Sequence, residues 1–139
     1  MTHYQKSLRI KTRGKSLQKI TEPIRKIVAE SQVNMGICTV FIRHTSASLI
    51  IQENADPDVL QDLENFFAKL VPEDYSAYLH NAEGIDDMPA HIRSVLTQTS
   101  EQIPIANGKL VLGTWQGIYV WEHRQRSHQR EIVVHVCGV

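Results

Sequence analysis

The chain has 139 residues, 42% of them hydrophobic, with 15 basic and 15 acidic side chains. That length suits one domain, residues 1–139, with a real core. Zero formal net charge excludes the electrostatic footprint of a nonspecific nucleic-acid binder, and apolar runs of only a few residues exclude a membrane span. The opening MTHYQKSLRI lacks the apolar stretch of a secretory signal. Cys38 and Cys137 both fall in apolar strand patterns. They are expected to be small core residues in a reducing compartment rather than a disulfide. A cytoplasmic protein is the resulting expectation.

Residues 4–12 alternate, with Tyr4, Leu8 and Ile10 on one face of a strand and Gln5, Ser7, Arg9 and Lys11 on the other. Gly14-Lys15 signals a turn, and Ser16–Ile20 reads as the returning strand of an opening hairpin. Thr21 is placed to cap a helix that tolerates Pro23 in its first turn and carries Ile24, Ile27 and Val28 inward, with Gly36 as its stop. A strand over 37–44 puts Cys38, Val40, Ile42 and His44 on one face. The next puts Leu49, Ile51 and Glu53 together. Asp56-Pro57 is a strong helix start, followed by a stripe of Val59, Leu60, Leu63, Phe66, Phe67 and Leu70 that is expected to be core.

Residues 73–86 show no period, and a long polar segment in a compact domain is more often a binding loop than filler. Asp87 and Pro89 repeat the cap-then-proline signal. The short helix they open is expected to turn Met88, Ile92, Val95 and Leu96 inward, with His91 flanking that face. Its free N–H groups are a possible anion site. Asn107-Gly108 signals a hairpin. Strands over 118–124 and 131–136 close the chain around the polar loop 125–130. The first carries Ile118, Val120, Glu122 and Arg124 on one face and Tyr119, Trp121 and His123 on the other. The pattern predicts an α+β domain of packed antiparallel sheet with about three helices.

The stretch FIRHTSASLIIQEN, residues 41–54, ends two apolar rows on polar groups. Burying such groups costs about 1–3 kcal/mol each unless they find partners, so the stretch reads as the wall of a site. His44, His80 and His91 each sit where an element meets a polar segment. Three imidazoles suit a metal with an open position, but no HxH or HExxH spacing joins them. Three independent structural histidines remain the alternative. Asp56 and Asp87 are explained as helix caps, whereas Glu53 and Glu122 each end an apolar row and are candidates for general base or histidine partner. Arg124, Arg126 and Arg130 frame the last loop and suit phosphate, as does a plain solvated surface. Thr45, Ser46 and Ser48 add hydroxyls beside His44. No GxSxG elbow or Walker loop is present.

The segments HTSASLIIQENADPDV, EGIDDMPAH, Ile103-Pro104-Ile105, LGTWQGIYVWEHR and the final Gly138 resemble, in order and over nearly the whole chain, the YjbQ family. Its members are described as secondary thiamine-phosphate synthases. The resemblance implies a compact α+β fold, a homotrimer and a polar site shared by His44, His80 and His91. The implied reaction joins an aminopyrimidine diphosphate to a thiazole phosphate and releases pyrophosphate. A leaving diphosphate calls for cationic or metal stabilisation. On this resemblance, a metal on His44, His80 and His91 serves it with Arg124. Glu53, Asp87 or Glu122 stabilises the pyrimidine cation, and Thr45, Ser46 and the N–H groups opening the Pro89 helix receive phosphate. Mg²⁺ would come with the diphosphate, whereas three histidines suit Zn²⁺, Fe or Ni. Nitrogen ligands fit a hydrolase of a small phosphorylated metabolite equally well, and a non-catalytic trimeric metabolite-binding protein would use the same residues.

Overall fold

A computed structural model describes residues 1–139, apart from the side chain of Tyr75. The strands are β1 (Thr2–Lys11), β2 (Ser16–Lys19), β3 (Gly36–Ile42), β4 (Ala47–Glu53), β5 (Ser100–Ala106), β6 (Lys109–Leu110), β7 (Gln116–Glu122) and β8 (Gln129–Gly138). The helices are α1 (Thr21–Ser31), α2 (Pro57–Leu70) and α3 (Asp87–Leu96), with one 3₁₀ turn at Tyr75–Ala77. The five-stranded sheet runs β1-β8-β3-β5-β6 and the three-stranded sheet β2-β7-β4. Every pairing is antiparallel, as the alternating patterns predict. Among the described residues, no helix is long and apolar enough to cross a membrane.

The core lies where the inward rows of the two sheets meet α1. Val40, Ile42, Ile132, Val134 and Val136 come from the large sheet, Leu49, Ile118 and Val120 from the small one, and Ile24, Ile27 and Val28 from α1. The other face of the small sheet carries Tyr119 and Trp121, and Phe67 of α2 packs edge-on against Trp121 at 4.8 Å.

The opening hairpin does not form. β1 pairs with β8, and β2 pairs with β7 in the other sheet. The chain therefore passes between the sheets six times, and three of those crossings, at residues 12–15, 43–46 and 123–128, are tied together. The reason is chemical as well as topological. Thr12 donates its amide to the His128 carbonyl (2.8 Å) and receives the His128 amide on Oγ1 (2.9 Å), so the first crossing is tied to the third. Gly14, at φ +98°, brings its α-carbon so near the Gln125 carbonyl that an added Cβ would stand 2.5 Å from that oxygen.

One buried ion pair joins all three crossings. Glu122 is fully buried and Arg130 is 4% exposed. Arg130 donates Nε to Glu122 Oε1 (2.8 Å), Nη2 to Glu122 Oε2, and Nη2 also to Ser46 Oγ (3.0 Å). Glu122 accepts from Thr12 Oγ1 (2.6 Å) and from the Arg124 amide (3.2 Å). Beside it, His44 Nε2 accepts the Glu131 amide at 2.8 Å.

Several local expectations change. Thr21 does not cap α1; its Oγ1 accepts the Ile118 amide (2.9 Å) and pins the helix start to β7. α1 ends at Ser31 with Gln32 left-handed. Gly36 instead opens β3, where a Cβ would meet the Cys137 carbonyl at 2.1 Å. Asp56 does cap α2, accepting from the Asp58 amide at 2.9 Å. The α2 stripe is not core: no α2 residue is fully buried, and Phe66 and Leu70 are 59% and 53% exposed. α3 buries Asp87, Pro89, Ala90, Arg93 and Ser94, and leaves Val95 and Leu96 outward. Its sequence shows two competing stripes, and the polar one faces in, with Asp87 received by Arg124 and His80, and with Arg93 donating Nη2 to the Val71 carbonyl (2.9 Å). Cys38 is core, whereas Cys137 lies on the outer face of β8.

Removing one member of a buried pair strands the other charge, a loss of about 3–5 kcal/mol. Glu122→Ala is expected to lower urea-unfolding stability by that amount. Glu131→Ala, which breaks only the exposed ion pair with Arg43, should cost under about 1 kcal/mol.

Candidate functional site

The irregular segment 73–86 returns to the body of the protein at Asp86 and Asp87, and both carboxylates are received by Arg124 just beyond the end of β7. Arg124 Nε donates to Asp86 Oδ2 (2.9 Å) and Nη2 to the Glu83 carbonyl (3.0 Å), and Nη1 forms an ion pair with Asp87 Oδ1 (2.9 Å). The Gln125 amide adds a second bond to Asp86 (2.8 Å). Burial works to raise the Asp86 carboxyl, but the hydrogen bonds from Arg124 and Gln125 outweigh it and hold the group below the usual carboxylate range. The same balance, with burial opposed by His80 and Arg124, holds Asp87 low. Asp87 is therefore a buried carboxylate, 2% exposed, that stays ionised.

Two imidazoles meet it. His80 Nε2 lies 2.5 Å from Asp87 Oδ2, and His91, one helical turn along α3, has Nε2 3.5 Å from Asp87 Oδ1. The rings stand edge to face at 5.3 Å. His91 Nδ1 donates to the Thr45 carbonyl at 2.9 Å, which fixes the tautomer. The proton sits on Nδ1, and Nε2 of the neutral ring turns a lone pair toward a carboxylate oxygen. A metal ion, a proton or a water molecule that donates to both would each bridge that 3.5 Å separation. One donor atom from each of His80, Asp87 and His91 falls within 4.8 Å of the others. Two imidazoles and one carboxylate form a donor set suited to Zn²⁺ or Fe²⁺. The bond from His91 to the Thr45 carbonyl supplies the orienting contact that metal-binding histidines need.

The other predicted residues fall elsewhere. His44 is outside this triad, with Nε2 engaged by the Glu131 amide; burial first, then the Arg130 charge, push it below its ordinary value. Glu122 is the fully buried hub described above, with both oxygens taken by Arg130, Thr12 and the Arg124 amide. Glu53 folds back on the α2 start, where Oε2 accepts the Ala55 and Asp56 amides (3.0 and 3.2 Å). Ser46 receives Arg130 on Oγ. Thr45 contributes its carbonyl to His91 and leaves its side chain exposed. Beside the triad, Ala82, Glu83, Gly84, Arg124, Arg126 and His128 line a hollow of ≈ 600 Å³.

The profile of the family described as UPF0047 protein YjbQ-like matches residues 6–139. The chain belongs to the YjbQ family. UPF0047 protein sll1880 of Synechocystis sp. is 66% identical over 97% of this chain and 92% of its own length. UPF0047 protein YjbQ of Escherichia coli O157:H7 is 40% identical over 97% and 98%. Among solved structures, a YbjQ-like protein of unknown function from Sulfolobus solfataricus P2 superposes with a TM-score of 0.90 at 26% identity, covering 99% of this chain and 98% of that one. An uncharacterised YjbQ/UPF0047 protein from Clostridium acetobutylicum gives 0.84 at 38% identity, covering 96% and 98%. The YjbQ fold is thus common to the group.

Behind α3 lies a histidine that the sequence reading placed on a strand face without a role. His123 is 1% exposed. Burial, followed by the charges of Arg93 and Arg130, pushes it down to about 3. The neutral ring accepts from Ser48 Oγ at 2.8 Å, and Thr97 Oγ1 lies 2.6 Å from that hydroxyl. The unfolded chain takes up a proton here near pH 6.5, and the folded chain does not until about pH 3. This histidine therefore removes stability progressively as pH falls from about 6.5 toward 3, and has no effect above that range. Urea midpoints at pH 7.5 and pH 5 check this: His123→Asn should lose less stability between them than the native chain does.

Proposed function

We propose that this YjbQ protein is a metal-dependent enzyme acting on small phosphorylated metabolites, with a reaction of the thiamine-phosphate synthase type. In that reaction an aminopyrimidine diphosphate is joined to a thiazole phosphate and pyrophosphate leaves. The observation that carries the metal site is the set of donor atoms on His80, Asp87 and His91, with the His91 tautomer fixed so that its lone pair faces the cluster. The synthase reaction itself comes from the family resemblance.

His80, Asp87 and His91 hold the metal in this reading, and His44 acts nearby through the backbone rather than as a ligand. When bound, the ion supplies Lewis-acid stabilisation of charge developing on phosphoryl oxygens. Arg124 keeps Asp87 ionised and fixes its orientation, which makes it a positioning residue. Arg126 and His128 face the adjoining hollow and receive the anionic groups of the substrate. Nitrogen donors fit Zn²⁺ or Fe²⁺ better than Mg²⁺, which prefers oxygen. That donor set favours hydrolysis of a phosphorylated metabolite as the second reading.

The assay is incubation of the purified protein with the pyrimidine diphosphate and the thiazole phosphate, before and after chelation and metal return. Joined product that disappears on chelation, and in His91→Ala and Asp87→Asn by at least about 100-fold, is the expected result. Release of inorganic phosphate without joined product would select the hydrolase. Saturable binding with no product of either kind would leave a metabolite-binding protein and sink the enzymatic reading.

We place the assembly as a homotrimer in the cytoplasm. The free thiols of Cys38 and Cys137 support the compartment, and the outward apolar side of α2 supports the assembly, because Phe66 and Leu70 are exposed there. Light scattering should give a trimer mass for the native chain and a smaller species for Phe66→Glu. An unchanged mass would move the interface away from α2.

A further inference from the structure

The outer face of the large sheet carries a second cluster of metal-ligating side chains, at the opposite end of β8 from the three crossings. Cys137 stands about 20 Å along the strand from Glu131, at roughly 3.3 Å per residue. Register sets the cluster: His3 is opposite Cys137, and Gln5 is opposite His135, on β1 and β8. His3 Nε2 lies 4.0 Å from Cys137 Sγ, and Met1 Sδ lies 3.5 Å from the same sulfur.

The hydrogen bonds around this group run in one direction. His135 Nδ1 donates to Gln5 Oε1 (2.9 Å), which leaves its Nε2 as an acceptor. His3 Nδ1, 3.3 Å from that Nε2, is then the donor. His3 consequently holds its free lone pair on Nε2, the nitrogen turned toward Cys137. This is the arrangement that orients a metal-binding imidazole: one nitrogen donates to a neighbouring acceptor and the other is presented to the ion.

The spacing fits an ion. Bonds to a d¹⁰ centre are about 2.0 Å from imidazole and 2.3 Å from thiolate, so a nitrogen and a sulfur that share one stand about 3.5 Å apart at a tetrahedral angle and about 4.3 Å apart in line. The observed 4.0 Å falls between. The donors are a thiol, a thioether and an imidazole, and the residues named in the cluster include no carboxylate. Thiolate with thioether selects soft Cu(I) over the harder divalent ions that nitrogen and oxygen donors take. We propose that His3 and Cys137, with the Met1 thioether as a third donor, bind Cu(I), and that His135 and Gln5 position His3 for it. Binding converts the Cys137 thiol to thiolate, and its proton passes to solvent as the S–Cu bond forms. The site is independent of the His80–Asp87–His91 triad, which lies with the crossings and offers no sulfur.

Anaerobic titration of the full-length protein with Cu(I) alone, in competition with a chromophoric Cu(I) chelator, tests the assignment. The native chain is expected to withdraw one more equivalent from the chelator than Cys137→Ser or His3→Ala. His135→Ala should weaken that equivalent about 10–100-fold, and Asp87→Asn should leave it unchanged. Circular dichroism establishes that each variant is folded, and sulfur-with-nitrogen scattering in X-ray absorption identifies the ligands. Equal Cu(I) uptake by the native chain, Cys137→Ser and His3→Ala would overturn the proposal, as would an equivalent lost in Asp87→Asn but kept in Cys137→Ser.

Discussion

The Glu122–Arg130 pair is the interaction on which the rest of the molecule depends. Two sheets built from one chain need the chain to pass between them, and three of its six passages, at 12–15, 43–46 and 123–128, meet at this pair. Each passage leaves backbone polar groups without strand partners, and such groups are costly when buried. The carboxylate and the guanidinium take the Ser46 carbonyl of the second passage and the Arg124 amide of the third, and bind the hydroxyls of Thr12 from the first and Ser46 from the second. A buried ion pair is weak evidence for stability in itself. Here its value is geometric, because both Glu122 oxygens and the Nη2 of Arg130 also bond to the segments that the pair brings together.

The candidate site is built outward from that hub. Arg124 is two residues from Glu122, and its amide is already fixed by the carboxylate. Its side chain then reaches the other way and takes Asp86 and Asp87. The long segment 73–86 is thus landed on the body of the protein by charge, with a second tether where Lys15 and Gln125 both hold Glu73. Asp87 arrives ionised and immobilised, and the two imidazoles close on it. The same logic explains the orientation of α3. A helix whose first turn carries two carboxylates bound by an arginine turns that face inward, even though Val95 and Leu96 are thereby left in solvent.

Much of the fold was legible in the sequence. Alternation gave the strands, Asp56-Pro57 gave the start of α2, and Asn107-Gly108 gave a tight hairpin with both residues at positive φ. The opening hairpin failed for a definite reason: β1 and β2 have the turn chemistry of a hairpin, but β8 and β7 offer each of them a better partner in separate sheets, and local signals do not report distant ones. The α2 stripe misled because an apolar face reads the same whether it meets a core or a surface. At the site, His80, His91 and Asp87 were among the residues singled out, but only the family resemblance joined His80 to His91, since no spacing relates residue 80 to the α3 turn. His44 and Glu122 were singled out for sound reasons. Each does end an apolar row on a polar group, and each is satisfied by the crossings. Burial with partners and catalytic use leave the same mark on a sequence.

The position of β8 bears on how the protein is made. This strand lies between β1 and β3 in the large sheet, and Arg130 at its start supplies the cation for Glu122. During synthesis, β1 and β3 emerge early, yet β1 has no neighbour and β3 has only β5 until residues 129–138 leave the ribosome, and the ends that Thr12 and Glu122 join are 110 positions apart. Contacts of such long range form slowly. The nascent chain therefore carries uncovered apolar strands for most of its translation, the condition under which sheets pair with the wrong neighbour. Shielding by a ribosome-associated chaperone would matter more for this molecule than its modest length suggests.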